Sequence, residues 1–249
     1  MAIVWQATQN NQIYEVRTAG QSIRLYIDGV LHTQHHPEHM FTGSVWDLLS
    51  LSALCPPESQ NPLRVLLLGV GGGSVIHQIH KLYPDAVIDG VDLSRSNLSV
   101  AKRFFNLPKR GITLVPSDGY RYIKQYRGPA YDLIIDDMFR GQDREPVRVI
   151  PVSRQWYQLL RSNLTSTGTL VFNFSDRTEF LNSPLDLVKE AAKLRIKGLQ
   201  SLSTPTCDNR IVWVNFSTPP TTSIRQQLAK WQGLDCGRLR LHRRFLVKP

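Results

Sequence analysis

The chain has 249 residues, of which 41% are hydrophobic and 20% charged, values typical of a globular protein that buries a core without disulfides or structural metal. Its three cysteines lack a CxxC spacing, which argues against a disulfide framework and a zinc site. Neither a leader-like N-terminus nor an apolar run of ~20 residues is present, so we expect a soluble, cytoplasmic protein without membrane contact.

The formal net charge of +10 would attract an acidic partner such as nucleic acid. Basic residues are spread along the chain, with the densest run at 238–248. Neither an aromatic RNA-binding signature nor a zinc finger accompanies this run. We therefore interpret it as a solvated basic edge and do not favour a nucleic-acid partner.

The N-terminal segment predicts a small β unit joined to a helix. Residues 12–34 alternate apolar and polar side chains and are broken by turn dipeptides, which is typical of antiparallel strands. Residues 39–54 carry apolar side chains at helical spacing, and Pro56-Pro57 ends that segment. We therefore expect an N-terminal unit over 1–58 and a main domain over 59–249.

The main domain begins with the continuous apolar run RVLLLG at 64–69, the pattern of a strand buried on both faces of a parallel sheet. Further strands are predicted at 86–92, 112–115, 132–136, 169–174 and 210–216. Helices are predicted at 74–82, 96–105, 119–126, 153–163 and 184–193, followed by a helix over 222–231 and a strand over 238–247. This alternation indicates an α/β, Rossmann-like fold with a mostly parallel sheet.

A glycine-rich turn follows the first buried strand. Gly69, Gly71 and Gly73 stand between that strand and a helix, where glycine lets a ligand approach the backbone closely. A tight turn without a ligand is the alternative. Counted from Gly71, Ile76 occupies the last glycine position of G-x-G-x-x-G, which disfavours NAD.

Two acidic residues at the same sheet edge favour a nucleoside. Asp92 ends the second strand, 21 residues after Gly71, where a carboxylate can accept hydrogen bonds from ribose hydroxyls. Asp118-Gly119 follows the third strand, and its carboxylate suits an adenine amino group. Asp118 as a simple helix cap is the alternative.

Asp136 and Asp137 end the fourth strand and are the candidate catalytic residues. Adjacent strand residues point to opposite faces, so we favour Asp137 as the residue in the cleft. Four histidines between 32 and 39 do not converge on one face of a regular element, and no metal site is predicted.

Five segments resemble successive blocks of the spermidine synthase family over residues 12–175: QSIRLYIDGVLHTQ, VLLLGVGGGSVIHQI, GVDLSRSNLSVAKRFF, SDGYRYI and YDLIIDD. The resemblance implies a small N-terminal β domain, a class I methyltransferase-like Rossmann domain and a homodimer. It also implies aminopropyl transfer from decarboxylated S-adenosylmethionine to a diamine. In that family Asp92 corresponds to the ribose-binding acid, Asp118 to the adenine-contacting aspartate, and Asp137 to the first aspartate of D-S-S-D.

The acceptor side departs from the family pattern. Gly72 stands at the aspartate of G-G-G-D-G-G, Arg140 at the second, catalytic aspartate of D-S-S-D, and Phe41-Thr42-Gly43 at the tyrosine motif. A dicationic diamine needs carboxylates for binding and a base for attack, and an arginine stays protonated. Arg140 would instead suit the carboxylate of S-adenosylmethionine or an anionic acceptor, unless it is a surface residue.

The preferred hypothesis is therefore methyl transfer from S-adenosylmethionine to an unknown small-molecule or protein acceptor, without a metal. Methyl transfer requires mainly in-line positioning and tolerates the loss of diamine carboxylates. One alternative is aminopropyl transfer from the decarboxylated form, with a base recruited from Asp136, Asp143 or Glu145. The other is a non-catalytic module that binds a nucleoside.

Overall fold

The N-terminal unit is a four-stranded antiparallel sheet in the order β1-β2-β3-β4. The computed structural model describes residues 1–9, 11–57, 61–142 and 145–248, so the division predicted at 58 and 59 lies outside them. Inward-facing Tyr14, Val16 and Leu25 pack against Phe105 of the main domain. The strands are β1 (Ala2–Gln9), β2 (Gln12–Ala19), β3 (Ser22–Ile27) and β4 (Val30–His35). The predicted β unit is confirmed, and β1 adds an edge strand to it.

An eight-stranded sheet in the order β14-β12-β13-β11-β8-β5-β6-β7 forms the main domain. Its strands are β5 (Arg64–Leu68), β6 (Val87–Asp92), β7 (Ile112–Pro116), β8 (Tyr131–Asp136), β11 (Leu164–Phe174), β12 (Gly198–Thr204), β13 (Cys207–Asn215) and β14 (His242–Val247). Five strands that are neighbours in the sheet run parallel to one another: β11, β8, β5, β6 and β7. β13 and β14 run antiparallel to their neighbours. The predicted α/β class with a mostly parallel sheet is confirmed.

Apolar layers cover both faces of this sheet. Val65 and Leu67 of β5 belong to one buried cluster, whereas Leu66 and Leu68 belong to the cluster on the opposite face. The helices are α1 (Val45–Ser50), α2 (Ser74–Leu82), α3 (Arg95–Phe104), α4 (Gly119–Gln125), α5 (Arg154–Ser162), α6 (Arg177–Leu181) and α7 (Ile224–Leu228). The continuous apolar run thus becomes a central strand, because alternate side chains enter two separate cores.

Three predicted elements differ from the structure. The helix expected at 184–193 is a series of turns, because Leu185 and Leu187 are both buried, and a spacing of two residues does not fit one face of a helix. The helix expected at 39–54 begins only at Val45, after Gly43 adopts a φ of 77°. The strand predicted at 210–216 is present within β13 but runs antiparallel.

Besides β1, the sequence did not predict β12, the short helix α6, or a hairpin of β9 (Phe139–Gln142) and β10 (Glu145–Arg148) that follows β8. Within the described part of the chain, no helix is both long and apolar enough to cross a membrane.

Candidate functional site

The sheet register places the predicted site residues along one edge. Leu68 at the end of β5 pairs with Val91 of β6 and with Asp136 of β8, and Asp136 pairs with Phe172 of β11. The amide of Ser117 donates to the carbonyl of Asp92 (3.1 Å). The carboxyl ends of four parallel strands and the turn after β7 therefore meet at this edge, where open α/β sheets hold their ligands.

A cavity of about 1120 Å³ opens at this edge. Its nucleoside side is formed by the glycine turn and the ends of β6 and β7, and the N-terminal sheet contributes one wall. Its other side, which we name the acceptor half, is formed by residues 42–46, the β9–β10 hairpin and the start of β13. The volume slightly exceeds the upper end of the range for ligand pockets, about 1,000 Å³, so the cavity has room for two reactants.

The glycine turn is built so that side chains cannot fill it. Gly69 has a φ of 89°, and a Cβ there would lie 2.2 Å from the carbonyl oxygen of Asp137. Gly71 has a φ of 53°, and a Cβ there would lie 2.6 Å from the Thr33 hydroxyl. Gly73, with a φ of 87°, precedes α2. These are left-handed conformations that favour glycine, and they leave the backbone open to a ligand at Gly69 and Gly71, which line the cavity.

Asp92 lines the cavity and holds the glycine turn at the same time. Its Oδ2 accepts hydrogen bonds from the amides of Val70 (3.0 Å) and Gly71 (3.2 Å), and its Oδ1 accepts one from the amide of Ser94 (2.8 Å). The Asn97 amide donates to both oxygens at 3.2 Å. A carboxylate offers about four lone-pair sites, and the donors named here already occupy them. A ribose hydroxyl bound to Asp92 would therefore replace the contacts from Asn97, which are long. Burial raises the pKa of Asp92 despite these donors.

Asp118 caps a helix and also lines the cavity. Its Oδ1 accepts a hydrogen bond from the amide of Arg121 (2.8 Å) and so caps α4. Its exposed side chain lines the cavity, with Oδ2 unpaired among the described residues. Gly119 follows at the cavity wall, where a Cβ would lie 2.5 Å from the Met138 sulfur. A cap and a ligand contact are therefore compatible here.

Asp137 reaches the cavity from the end of β8. Its Oδ1 accepts a 2.7 Å hydrogen bond from the side-chain amide of Asn173. Burial raises the pKa of Asp137 to about 7, and the carboxylates of Asp136 and Asp92 add to this rise, whereas Asn173 and Arg148 oppose it. A carboxyl group with such a pKa exchanges protons near neutral pH.

Asp136 points the other way and does not line the cavity. It is fully buried, is paired with the Arg148 guanidinium and accepts a hydrogen bond from Trp156 Nε1 (2.7 Å). Burial raises its pKa, while Arg148 opposes the rise. The structure therefore separates the two adjacent aspartates, and a catalytic function for Asp136 has no geometric support.

Gly72, which stands where the family pattern has an aspartate, is closely packed and does not line the cavity. A Cβ at Gly72 would lie 2.7 Å from Thr33 Cγ2 and 2.9 Å from the Phe105 ring, and the Gly72 amide donates to Thr33 Oγ1 (2.6 Å). No room is left for a longer side chain at Gly72. Among the described lining residues the acidic side chains are Asp92, Asp118 and Asp137, so only Asp137 adjoins the acceptor half.

Arg140 lines the cavity mouth and is exposed. In the hairpin it pairs with Val147, whereas Phe139 pairs with Arg148, which points into the core. Because side chains alternate between the faces of a strand, Arg140 lies on the face opposite Phe139. As an arginine, residue 140 supplies no carboxylate to the cavity. That the Arg140 guanidinium binds the carboxylate of S-adenosylmethionine or an anionic acceptor stays a prediction.

Several site residues were missed at the sequence level. Asn173 lies at the end of β11, and Thr206, Cys207 and Asn209 line the cavity at the start of β13. Asn173 could have been found from the sequence, because it is a polar residue near the end of the otherwise apolar run TLVFNF. Nothing in the sequence pointed to the β13 residues, because β13 reaches the edge from the opposite direction.

The histidines predicted not to form a metal site are spread over different contacts. His35 stacks on His77 (4.3 Å between ring centroids), and His36 contacts His39 (4.4 Å). His32 lines the cavity, and burial lowers its pKa to about 4. Within the ranges that the structure describes, no three His, Cys, Asp or Glu side chains are grouped to hold a metal ion.

The family model of the spermine/spermidine synthase domain matches residues 48–193, more than half of the chain. Over 85 residues the chain is 39% identical to the polyamine aminopropyltransferase of Chromobacterium violaceum, a match covering 33% of this chain and 32% of that protein. Over 121 residues it is 31% identical to the human eEF1A lysine and N-terminal methyltransferase, covering 45% of this chain and 17% of that protein. The chain thus spans about a third or less of the length of these relatives.

Two solved structures share the fold. A probable spermidine synthase from Corynebacterium glutamicum superposes with a TM-score of 0.71 at 15% identity, covering 98% of this chain and 91% of that one. Human methyltransferase-like protein 13 in complex with SAH superposes with a TM-score of 0.56 at 24% identity, covering 76% of this chain and 93% of that one. These similarities confirm the predicted fold, and the named relatives include both aminopropyl- and methyltransferases.

Proposed function

Since this chain belongs to the spermine/spermidine synthase domain family, we propose that it transfers the methyl group of S-adenosylmethionine to an acceptor bound in the acceptor half of the cavity. The glycine turn, Asp92 and Asp118 bind the nucleoside and the methionine portion. Asp137 orients the acceptor and takes its proton. The sulfonium supplies an activated methyl group when it is bound.

The small number of carboxylates in the acceptor half is the observation that carries the choice of reaction. Among the described lining residues, only Asp137 adjoins this half, and Thr33 and Phe105 occupy the volume into which a side chain at Gly72 would extend. A diamine carries two positive charges at neutral pH, and its binding requires several carboxylates. Asp137 alone cannot neutralise both charges, so an acceptor with a lower charge fits this half better.

Methyl transfer places modest demands on the remaining residues. The nucleophile forms a bond to the methyl carbon while the carbon–sulfur bond breaks and its electrons return to sulfur, and the proton of the nucleophile passes to Asp137. Such a reaction depends mainly on in-line positioning. Asp137, with its pKa raised to about 7, is suited to this proton transfer near neutral pH.

Aminopropyl transfer is the second candidate, because several curated relatives are named polyamine aminopropyltransferases. It would use Asp137 as the base and would require further carboxylates. Of those considered from the sequence, Asp136 is buried against Arg148, Asp143 lies outside the described residues, and the side chain of Glu145 is not described. This candidate therefore depends on the tip of the β9–β10 hairpin.

Calorimetry with S-adenosylmethionine and with its decarboxylated form separates the candidates. We expect tighter binding of S-adenosylmethionine, with unchanged affinity when putrescine is added. A clear preference for the decarboxylated form would overturn methyl transfer in favour of aminopropyl transfer. Absence of binding to either ligand would refute both and leave a non-catalytic module.

A further inference from the structure

Two asparagine side chains link Asp137 to the wall of the acceptor half. Asn173, 3% exposed, donates from Nδ2 to Asp137 Oδ1 (2.7 Å) and accepts at Oδ1 from Asn209 Nδ2 (2.9 Å). An ionised carboxylate can only accept hydrogen bonds, so the Asn173 amide must present its nitrogen to Asp137. Both asparagines line the cavity, and together they form what we name the amide relay, Asp137–Asn173–Asn209.

The backbone of Asn173 is also held from the hairpin side. Arg148 donates to the Asn173 carbonyl (2.6 Å) and pairs with Asp136, the residue before Asp137. Asn209 in addition contacts the Phe174 carbonyl at 3.4 Å. Asn173 is therefore restrained by three neighbours on three different strands, which limits the directions in which Asp137 can point.

We propose that Asn173 is a positioning residue that holds Asp137 with Oδ1 occupied and Oδ2 directed to the acceptor, and that Asn209 is the link through which a bound acceptor contacts this relay. The inference rests on the proposed function for its catalytic meaning. The coupling between Asn173 and the ionisation of Asp137 does not depend on the proposed function.

The charged groups around Asp137 determine the direction of this coupling. Asp136 on the same strand and Asp92 on β6 favour the protonated form, as does burial, whereas Arg148 on β10 and the Asn173 donor favour the carboxylate. Without the Asn173 donor, only Arg148 still opposes the rise in the Asp137 pKa that burial and the two carboxylates cause. The proton affinity of Asp137 must then rise.

The test is a titration of the Asp137 carboxyl by NMR in protein labelled at aspartate Cγ, with the signal assigned through Asp137→Asn. In Asn173→Leu we expect the midpoint to rise by about one pH unit, the scale of one lost hydrogen bond to a charged group. Asn173→Asp should raise it further, because a second carboxylate repels the first. Asn209→Ala should give a smaller rise in the same direction.

Asn215→Leu is the matched control, since Asn215 is a fully buried amide of β13 bonded to Thr169 (3.1 Å) and Gln200 (2.9 Å) and lies outside the cavity lining. Its loss should lower stability without moving the Asp137 midpoint. The same midpoint in wild type and Asn173→Leu, or an equal rise in Asn215→Leu, would overturn the inference. The proposed function fails separately, if wild type binds neither form of S-adenosylmethionine or clearly prefers the decarboxylated form.

Discussion

At the scale of single residues, Asp92 both lines the cavity and holds the glycine turn. Its carboxylate fixes the amides of Val70 and Gly71 and so holds the glycine turn in the conformation that leaves room for a ligand. The sequence spacing predicted the ligand contact. The hydrogen bonds to the turn were visible only in the structure.

Asp92→Ala should weaken binding of S-adenosylmethionine by about 1–3 kcal/mol, the scale of losing charge-assisted hydrogen bonds. Isothermal titration calorimetry measures the effect. Asp89→Ala is the control, because Asp89 lies on the same strand and accepts from the Tyr131 hydroxyl (2.7 Å) away from the cavity lining. Unchanged affinity in Asp92→Ala would refute the nucleoside assignment.

At the scale of elements, a buried ion pair attaches the β9–β10 hairpin to the core. Arg148 of β10 pairs with Asp136 at the end of β8, and its side chain is 3% exposed. The guanidinium also lies over the Phe172 and Phe174 rings at 5.8 and 5.5 Å. The hairpin that walls the acceptor half is thereby attached to the strand that carries Asp137.

Arg148→Met should lower the free energy of unfolding by about 3–5 kcal/mol, because it leaves the Asp136 carboxylate buried without its partner. Arg154→Met removes the half-exposed pair with Glu190 and should cost at most about 1 kcal/mol. Urea denaturation at pH 7 compares the two variants. A similar loss of unfolding free energy in both variants would show that the buried Arg148 pair contributes no more to stability than the half-exposed Arg154 pair.

At the scale of the whole molecule, three carboxyl groups with raised pKa values lie at one sheet edge. Burial raises the pKa of Asp92, Asp136 and Asp137. A folded-state pKa above the unfolded value means that the folded state binds the proton more tightly. The contribution of such a group to stability is therefore full at acidic pH and is lost as pH rises through the folded-state pKa.

For Asp137, with a pKa of about 7, the loss falls between about pH 4 and pH 8. Asp137→Asn, which mimics the protonated form, should therefore have a higher Tm than wild type at pH 8 and a similar Tm at pH 5. Scanning calorimetry at the two pH values measures the difference. A gain of equal size at both pH values would contradict the raised pKa.

Two arginines of the basic C-terminal run donate hydrogen bonds within the chain. Arg243 donates to the carbonyls of Thr221 and Thr222 (3.0 and 2.9 Å), and Arg240 donates to those of Gly237 and Leu239 (2.6 and 3.2 Å). Such contacts order the chain around β14 and occupy guanidinium donors that a phosphate backbone would otherwise use. Nucleic acid therefore remains a partner that we do not favour, and the homodimer implied by the family resemblance stays a prediction.

The sequence by itself determined the five parallel strands, the glycine turn and the positions of the acidic residues that follow those strands. These features depend on local patterns: continuous apolar runs that become buried strands, glycines that adopt positive φ, and acidic residues directly after strand ends. Asp92, Asp118 and Asp137 reach one edge because parallel strands bring their carboxyl ends together. Their assigned functions await the experiments above.

Tertiary structure alone decided the acceptor half. Arg148 pairs with Asp136 and so leaves Asp137 to face the cavity. Arg148 is only 12 residues from Asp136 in the sequence, but it lies on a hairpin that no sequence pattern predicted. The amide relay joins β8, β11 and β13, and the space at Gly72 is filled by Thr33 and Phe105 from distant segments. Contacts of this kind arise from packing between elements, which local periodicity does not encode.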